Sequence, residues 1–229
     1  MRYAIYFTPA ETDPLTQKAS RWLGRNAFSG TGHDDHQAYA DTTAEPRRYG
    51  FHATLKAPFE LSDEHSEADL LEAFHAFAKS RAAVEIPKLV IGNLGPFFAL
   101  VPHDTHPPLQ DFAADVVEHF EPFRAALSES DIARRRPQKL TDSQRENLFV
   151  WGYPHVMDDF RFHMTLTGPV DDTVSAHITS VLTQEFSDFT DRPLSISGLG
   201  LFIEEARGEP FTVHTWLPLT GPDTKEAHA

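Results

Sequence analysis

The chain has 229 residues, 40% of them hydrophobic, and no cysteine, so disulfides and cysteine-ligated metals are excluded. Its formal charge is −14, which disfavours a sequence-independent grip on long nucleic acids, because such binding neutralises many phosphates with Lys and Arg. No apolar run reaches the roughly 18 residues of a membrane span, and the apolar stretch at the start is too short for a secretory signal, so we expect a cytoplasmic protein without membrane contact.

Apolar periodicity predicts an alternation of strands and helices along the chain. A capping box of Thr141 and Gln144 marks the start of one helix, and Pro122 is expected to kink or end another. In chain order the predicted elements are a strand at 3–8, a helix at 13–23, a polar loop at 26–47, a strand at 49–59, a helix at 67–80, strands at 84–92 and 96–101, a helix at 109–127, a basic connector at 134–139, a helix at about 142–150, a strand at 161–167, a helix at 174–186, and strands at 194–203 and 211–217, before a flexible tail at 220–229.

Two short motifs recur in this pattern, His-Ala-Thr-Leu from His52 and His-Met-Thr-Leu from His163. Each lies in an apolar, strand-like stretch, where alternate side chains project to the same face. His52 should therefore project together with Thr54, and His163 with Thr165. A single His-x-Thr has almost no specificity, but two copies at equivalent points of a repeated pattern favour one shared site over coincidence.

The residue types in these motifs suit the cleavage of a phosphate ester. Histidine gives or takes a proton near neutrality, and hydrolysis needs one group to deprotonate water and another to protonate the leaving oxygen. Threonine hydroxyls can donate to the non-bridging oxygens, whose charge must be stabilised. We therefore predict that His52 and His163 are catalytic and that Thr54 and Thr165 bind phosphate. Pseudo-symmetry leaves open which imidazole is the base.

Three further residues are candidates for binding substrate. Lys56 lies two positions beyond Thr54 and could share its face, although a solvated lysine is about equally expected. Arg161 precedes His163 by two positions and has the same two interpretations. Tyr153 could stack on a substrate ring, or it could have a structural role in the core or in a turn.

A basic cluster stands out in this acidic chain, formed by Arg134, Arg135, Arg136 and Lys139. Such a run is usually solvated, but arginine forks suit phosphate, so a second phosphate on the substrate is the alternative interpretation.

No cofactor or metal is expected. The segment with His33, Asp34, Asp35 and His36 lacks a recognised ligand spacing and is better explained as a solvated loop. No Gly-rich loop of the P-loop or dinucleotide type occurs in the sequence.

The paired motifs resemble those of the 2H phosphoesterase superfamily, whose signature is two His-x-Thr/Ser motifs. The wider runs Arg48–Lys56, Trp151–Pro154 and Phe160–Gly168 look like a bacterial branch found beside carbon–phosphorus lyase genes. The resemblance covers about 3–219. It implies an α+β fold of two pseudo-symmetric lobes, with antiparallel sheets lining a central cleft and helices outside. We expect one bilobal domain at 1–219, with halves at about 1–130 and 140–219.

The resemblance also implies metal-independent catalysis by the two histidines. The neighbourhood of carbon–phosphorus lyase suggests 5-phosphoribosyl 1,2-cyclic phosphate, a small phosphorylated substrate whose ring must be opened. The predicted activity is that of a hydrolase acting on phosphoric diester bonds, a cyclic phosphodiesterase. The alternatives are an RNA-end 2′,3′-cyclic phosphodiesterase or ligase-like activity, and non-catalytic binding of a phosphorylated metabolite.

Overall fold

The computed structural model describes residues 1–33 and 39–221. Asp34, Asp35 and His36, considered above as metal ligands, lie outside the described residues, as do residues 222–229 of the predicted tail. The described helices are α1 (Pro14–Leu23), α2 (Ala44–Arg47), α3 (Glu67–Ser80), α4 (Pro107–Phe120), α5 (Glu129–Arg134), α6 (Asp142–Trp151) and α7 (Asp172–Glu185), and the strands are β1 (Arg2–Phe7), β2 (Ala53–Phe59), β3 (Val84–Ile86), β4 (Leu89–Leu94), β5 (Phe97–Pro102), β6 (Met164–Thr165), β7 (Leu194–Ile196), β8 (Gly198–Glu204) and β9 (Thr212–Pro218).

The strands form antiparallel sheets, and with the helices they make an α+β fold. One sheet has the order β2-β1-β8-β9 and a second has the order β4-β5-β6, while β3 pairs with β7. Each motif strand, β2 or β6, lies at the edge of its sheet. The two motifs therefore belong to different sheets.

The order of elements repeats along the chain. The unit β1-α1-β2-α3-β3-β4 is followed by β5-α4-β6-α7-β7-β8, and the strand order β2-β1-β8 corresponds to β6-β5-β4. The last strand of each unit therefore completes the other unit's sheet. Local periodicity indicates a repeated pattern, but it does not show the pairing of β1 with β2 that places β1 in the same sheet as the first motif.

The core lies between the sheets and the helices. Buried apolar side chains from both large sheets and from α1, α3, α4 and α7 form one cluster. Apolar side chains at helical spacing face this core, since Leu70, Phe74 and Phe77 of α3 and Leu109 and Phe112 of α4 are all buried. The sheets are thus fixed by an apolar core on one side, which leaves the other side for a site.

Helix ends follow local chemistry in two places. The capping box predicted at Thr141 and Gln144 is present at the start of α6. The helix expected at 109–127 ends at Phe120, and a 3₁₀ turn with Pro122 follows, because proline cannot donate to a preceding helical carbonyl. The expected basic connector is partly helical, since α5 extends to Arg134.

The second motif strand is shorter than the seven residues expected. Only Met164 and Thr165 pair regularly, with Leu100 and Ala99 of β5. Beyond them the amides of Leu166 and Thr167 both donate to the same carbonyl, Phe98 O, so the ladder cannot continue in register. The backbone is nevertheless extended at Met164 and Thr165, where the strand pairs with β5.

Candidate active site

The two motif histidines make the same local hydrogen bond. His52 Nδ1 lies 2.9 Å from Gly50 O, and His163 Nδ1 lies 2.7 Å from Arg161 O, so each ring is held by the carbonyl two residues earlier. A carbonyl can only accept, so Nδ1 carries the proton and Nε2 of the neutral ring has a free lone pair. Both imidazoles are therefore set as proton acceptors at Nε2.

The backbone before His52 requires glycine. Gly50 has φ of 73°, and a Cβ there would lie 2.5 Å from Ala27 Cβ. A side chain at this position would be strained and would clash. Glycine thus allows the turn that aims Gly50 O at His52.

Both motifs open into one cleft of about 470 Å³. Its lining includes the two histidines and the two threonines that the sequence singled out, together with other side chains from β1, β2, α2, the region after α5 and the segment after β6. These are Arg2, Tyr6, Glu45, Pro46, Tyr49, Ala57, Pro58, Phe97, Arg134, Arg135, Tyr153, Thr167, Gly168 and Pro169. The structure brings His52, Thr54, His163 and Thr165 together, as one site would need.

His52 is the more enclosed of the two imidazoles. Its ring stacks on Tyr6 with centroids 4.1 Å apart, and Thr54 Oγ1 lies 3.3 Å from its Nε2. Burial lowers the pKa of His52 to about 4, although the bond to Gly50 opposes this, and the nearby charge of His163 lowers the pKa further. His52 is therefore neutral at pH 7, and the two rings are close enough to influence each other.

His163 lies in a similar but less enclosed position. Burial lowers its pKa below the ordinary value, and the bond to Arg161 O opposes the shift. Phe97 packs near the ring, with centroids 5.9 Å apart. The Thr165 hydroxyl has no hydrogen-bond partner among the described residues and is free to donate into the cleft.

Lys56 does not share the face of Thr54, so its expected place in the groove is corrected by the structure. On β1, the neighbouring residues Tyr6 and Ile5 pair with Thr54 and Lys56 of β2. Leu55 is therefore an extra residue in β2, a β-bulge that changes the alternation of side chains between the two faces. Lys56 is buried and forms an ion pair with Glu121. Burial lowers its pKa to about 8, which the hydrogen bond to Glu121 opposes. Its role is structural.

Of the other two candidates for binding substrate, Tyr153 lines the cleft and Arg161 does not. The Arg161 side chain is exposed, and its backbone carbonyl lies 2.7 Å from His163 Nδ1. The contact of Arg161 with substrate stays a prediction. Tyr153 lines the cleft, and the guanidinium of Arg135 lies over its ring at 4.7 Å from the centroid.

The basic cluster is divided by the turn after α5. Arg134 and Arg135 line the cleft, whereas Arg136 and Lys139 do not. Arg136 has φ of 49°, and this left-handed residue turns the chain away. The neighbours in sequence therefore differ in their access to the site.

Sequence reasoning missed Arg2 and Tyr6, which reach the cleft from β1. Strand alternation was the available signal, since it puts Arg2 and Tyr6 on one face and Ile5 on the other. Their position beside the motif depends on the pairing of β1 with β2, which periodicity does not show.

Arg2 is held in place by a buried carboxylate. Glu204 on β8 is fully buried and accepts from Arg2 Nε, from Arg48 and from the amide of Gly208. Burial alone would raise the pKa of Glu204, but these donors outweigh it and lower the pKa below the ordinary value. Glu204 is thus a charged anchor for two arginines.

A family model matches more than half of the chain. The model described as "Protein of unknown function (DUF1045)" matches residues 54–212. The chain belongs to this family. The DUF1045 match begins at Thr54 and includes the whole second motif.

The DUF1045 chain is also similar to two curated proteins, both called "Ribose 1,5-bisphosphate phosphokinase PhnN". It is 35% identical to that of Janthinobacterium sp. (strain Marseille) and 30% identical to that of Laribacter hongkongensis (strain HLHK9), over 96% of this chain in each case and 51% and 53% of the relatives. The chain thus spans about half the length of these relatives. A solved crystal structure, that of the protein TT0787 from Thermus thermophilus, aligns with a TM-score of 0.47 at 16% identity, covering 96% of this chain and 99% of that one.

Two features are absent from residues 1–33 and 39–221. No helix there has the length and apolarity to cross a membrane. No group of three or more His, Cys, Asp or Glu side chains in those ranges is placed to hold a metal ion.

Proposed function

We propose that this protein is a metal-independent phosphoesterase that opens a small cyclic phosphodiester with His52 and His163. The observation that carries the proposal is the shared geometry of the two motifs. Each imidazole is anchored through Nδ1 to a carbonyl, and both rings line one cleft with a threonine hydroxyl beside each. Proton transfer from two positions is the chemistry that this arrangement serves best.

The reaction would use one imidazole as base and the other as acid. The base takes a proton from water as the water oxygen bonds to phosphorus, and the imidazolium gives its proton to the ester oxygen that leaves. The product is a phosphomonoester with a free hydroxyl on the former ring. Thr54 and Thr165 would donate to the non-bridging oxygens, where negative charge grows.

We assign His52 as the base and His163 as the acid. His52 is the more enclosed ring, and its pKa of about 4 is lowered in part by the charge of His163. When the pair holds one proton, that proton therefore resides on His163. This leaves His52 Nε2 with its lone pair beside Thr54.

The pH profile tests whether the pair acts with one neutral and one protonated imidazole. Activity needs neutral His52, so kcat/KM should rise with pH through about 4, and it needs protonated His163, so kcat/KM should fall as pH passes the lowered pKa of that ring, below about 6.5. The optimum should therefore be mildly acidic. A 2′,3′-cyclic nucleoside monophosphate suits the measurement, because its diester does not titrate in this range. An optimum at pH 7 or above would contradict catalysis by a singly protonated pair whose pKa values are both lowered.

The proposed substrate class is a phosphorylated ribose. The relatives' printed names concern ribose 1,5-bisphosphate, and this chain matches about half of each. The chain has no Gly-x-x-x-x-Gly-Lys run, the loop with which many kinases hold nucleotide phosphates. We therefore assign the named kinase activity to the part of the relatives that this chain does not match. To this chain we assign the ring opening of a compound such as 5-phosphoribosyl 1,2-cyclic phosphate.

The repeated order of elements supports a pseudo-symmetric site. The unit containing β2 and the unit containing β6 have corresponding strand orders, and His52 and His163 stand at equivalent places within them. We propose that the two units are the pseudo-symmetric lobes of a 2H phosphoesterase-like fold, each supplying one imidazole.

Turnover in the presence of a chelator is the direct test. Purified protein, dialysed against EDTA, should open 5-phosphoribosyl 1,2-cyclic phosphate or a 2′,3′-cyclic nucleotide at an unchanged rate, measured by ³¹P NMR as the cyclic signal is replaced by a monoester signal. Loss of activity on chelation and its return with a divalent metal would contradict the mechanism. Binding of both cyclic phosphates without turnover would contradict the proposed enzymatic activity and favour a metabolite-binding protein.

A further inference from the structure

Arg2 brings a buried positive charge to the wall of the cleft. It is only 6% exposed, yet it lines the cleft. Glu204 accepts from its Nε, and no further hydrogen bond of this guanidinium occurs among the described residues. Its two terminal nitrogens are therefore free to donate, while the carboxylate behind fixes the direction of the fork.

Arg135 is a second cation on this wall, held differently. Its guanidinium lies over Tyr153, and no carboxylate of the described residues lies within ion-pair distance of it. The aromatic ring attracts the cation but has no formal charge, so it does not neutralise Arg135. Arg135 is thus positioned to bind an anion from the cleft.

Arg134 adds a third positive charge next to these two. It has an ion pair with Asp131, but Asp131 is shared with Arg207. Burial lowers the pKa of Arg134. The charge of Arg135, and to a smaller extent that of Arg2, lowers it further. Arg134 is therefore close enough to Arg135 and Arg2 to be repelled by their charges, and an anion bound beside Arg134 would relieve this repulsion.

The three arginines lie where the main cleft meets a small neighbouring cavity. Arg2, Arg134 and Arg135 line both spaces, together with Pro58. Glu45 is the one carboxylate among the described residues that line the main cleft. In a chain with a formal charge of −14, this concentration of positive charge is local and faces the same space as His52 and His163.

We propose that Arg2, Arg134 and Arg135 form a second anion subsite, which binds the terminal phosphomonoester of a sugar whose cyclic phosphate lies between His52 and His163. The inference rests on the proposed function and adds the requirement that the substrate carries two phosphates. A phosphomonoester has about −1.5 to −2 charges at pH 7, and arginine forks bind its oxygens in pairs. A single terminal phosphate suits a local group of three cations, whereas a polymer would need basic residues along its path.

A pair of substrates that differ only in the second phosphate tests the subsite. Wild-type protein should prefer 5-phosphoribosyl 1,2-cyclic phosphate over ribosyl 1,2-cyclic phosphate by about 10- to 100-fold in kcat/KM, as expected for hydrogen bonds to a charged group. Arg135→Gln should remove most of this preference, chiefly by raising KM for the phosphorylated ring. Arg136→Gln is the matched control, because this exposed neighbour does not line the cleft, and it should keep the preference.

Calorimetry with ribose 5-phosphate separates this inference from the proposed reaction. The compound has the terminal phosphate but no ring to open, so its binding does not depend on turnover. Weaker binding by about 10-fold or more in Arg135→Gln, with normal binding in Arg136→Gln, would support the subsite even if no cyclic phosphate were hydrolysed. Equal binding by all three proteins, or none by wild type, would overturn it even if ring opening were fast. Thermal melting confirms that each variant is folded.

Discussion

Replacing either His52 or His163 with alanine should lower kcat/KM for a cyclic phosphate by about 10²- to 10⁴-fold, the usual effect of removing a general acid or base. No other imidazole lines the cleft among the described residues, and the other lining side chains with titratable protons are Tyr6, Tyr49, Tyr153, Glu45 and the arginines. Burial raises the pKa of Tyr6 well above its usual value and also that of Tyr153. These phenols therefore cannot replace an imidazole as a base at neutral pH.

His177→Ala is the control for this experiment. His177 is exposed on α7 and does not line the cleft, so its removal should leave the rate within about twofold, as for most surface changes. The variant lacking both motif histidines should be little slower than the worse single variant, because groups that act in one reaction give non-additive losses. Full activity in either single variant would refute the mechanism, whatever the substrate.

The sequence was sufficient to predict that His52, Thr54, His163 and Thr165 lie together, and they line one cleft, but it did not indicate all the other residues of that cleft. His52 and Thr54 could be paired because they lie two positions apart in an extended segment, and the same holds for His163 and Thr165. The same argument failed for Lys56, because the extra residue Leu55 in β2 changes the alternation. A bulge of this kind depends on the partner strand, and local sequence has no signal for it.

The arginines that line the cleft were harder to predict for a related reason. Arg2 reaches the cleft only because β1 lies between β2 and β8, and its fixed direction depends on Glu204, which is 202 residues away. Arg136 has a left-handed backbone conformation, which turns the chain so that Arg136 does not line the cleft with Arg134 and Arg135. Composition indicated a basic cluster, but long-range pairing and a single φ angle decide which of its members face the cleft.

Glu204→Ala should destabilise the fold by about 3–5 kcal/mol, the usual cost of leaving a buried charge without its partner. Glu204 is fully buried, Arg2 is nearly so, and Arg48 and the Gly208 amide donate to the same carboxylate. Removing the carboxylate leaves Arg2 uncompensated inside the β1–β8 pairing and creates a cavity as well. The free energy of unfolding in urea, compared at equal m-value, measures the loss.

Glu205→Ala is the matched control for this change, because the next residue carries the same charge but is exposed and forms no ion pair among the described residues. It should alter the free energy of unfolding by no more than about 0.5 kcal/mol. A similarly small effect of Glu204→Ala would mean that Arg2 is not buried as described, and the anchored guanidinium in the cleft would lose its physical basis. A large loss of stability in Glu204→Ala, with Glu205→Ala unchanged, would instead tie the direction of Arg2 to a carboxylate on β8, in the other half of the repeat.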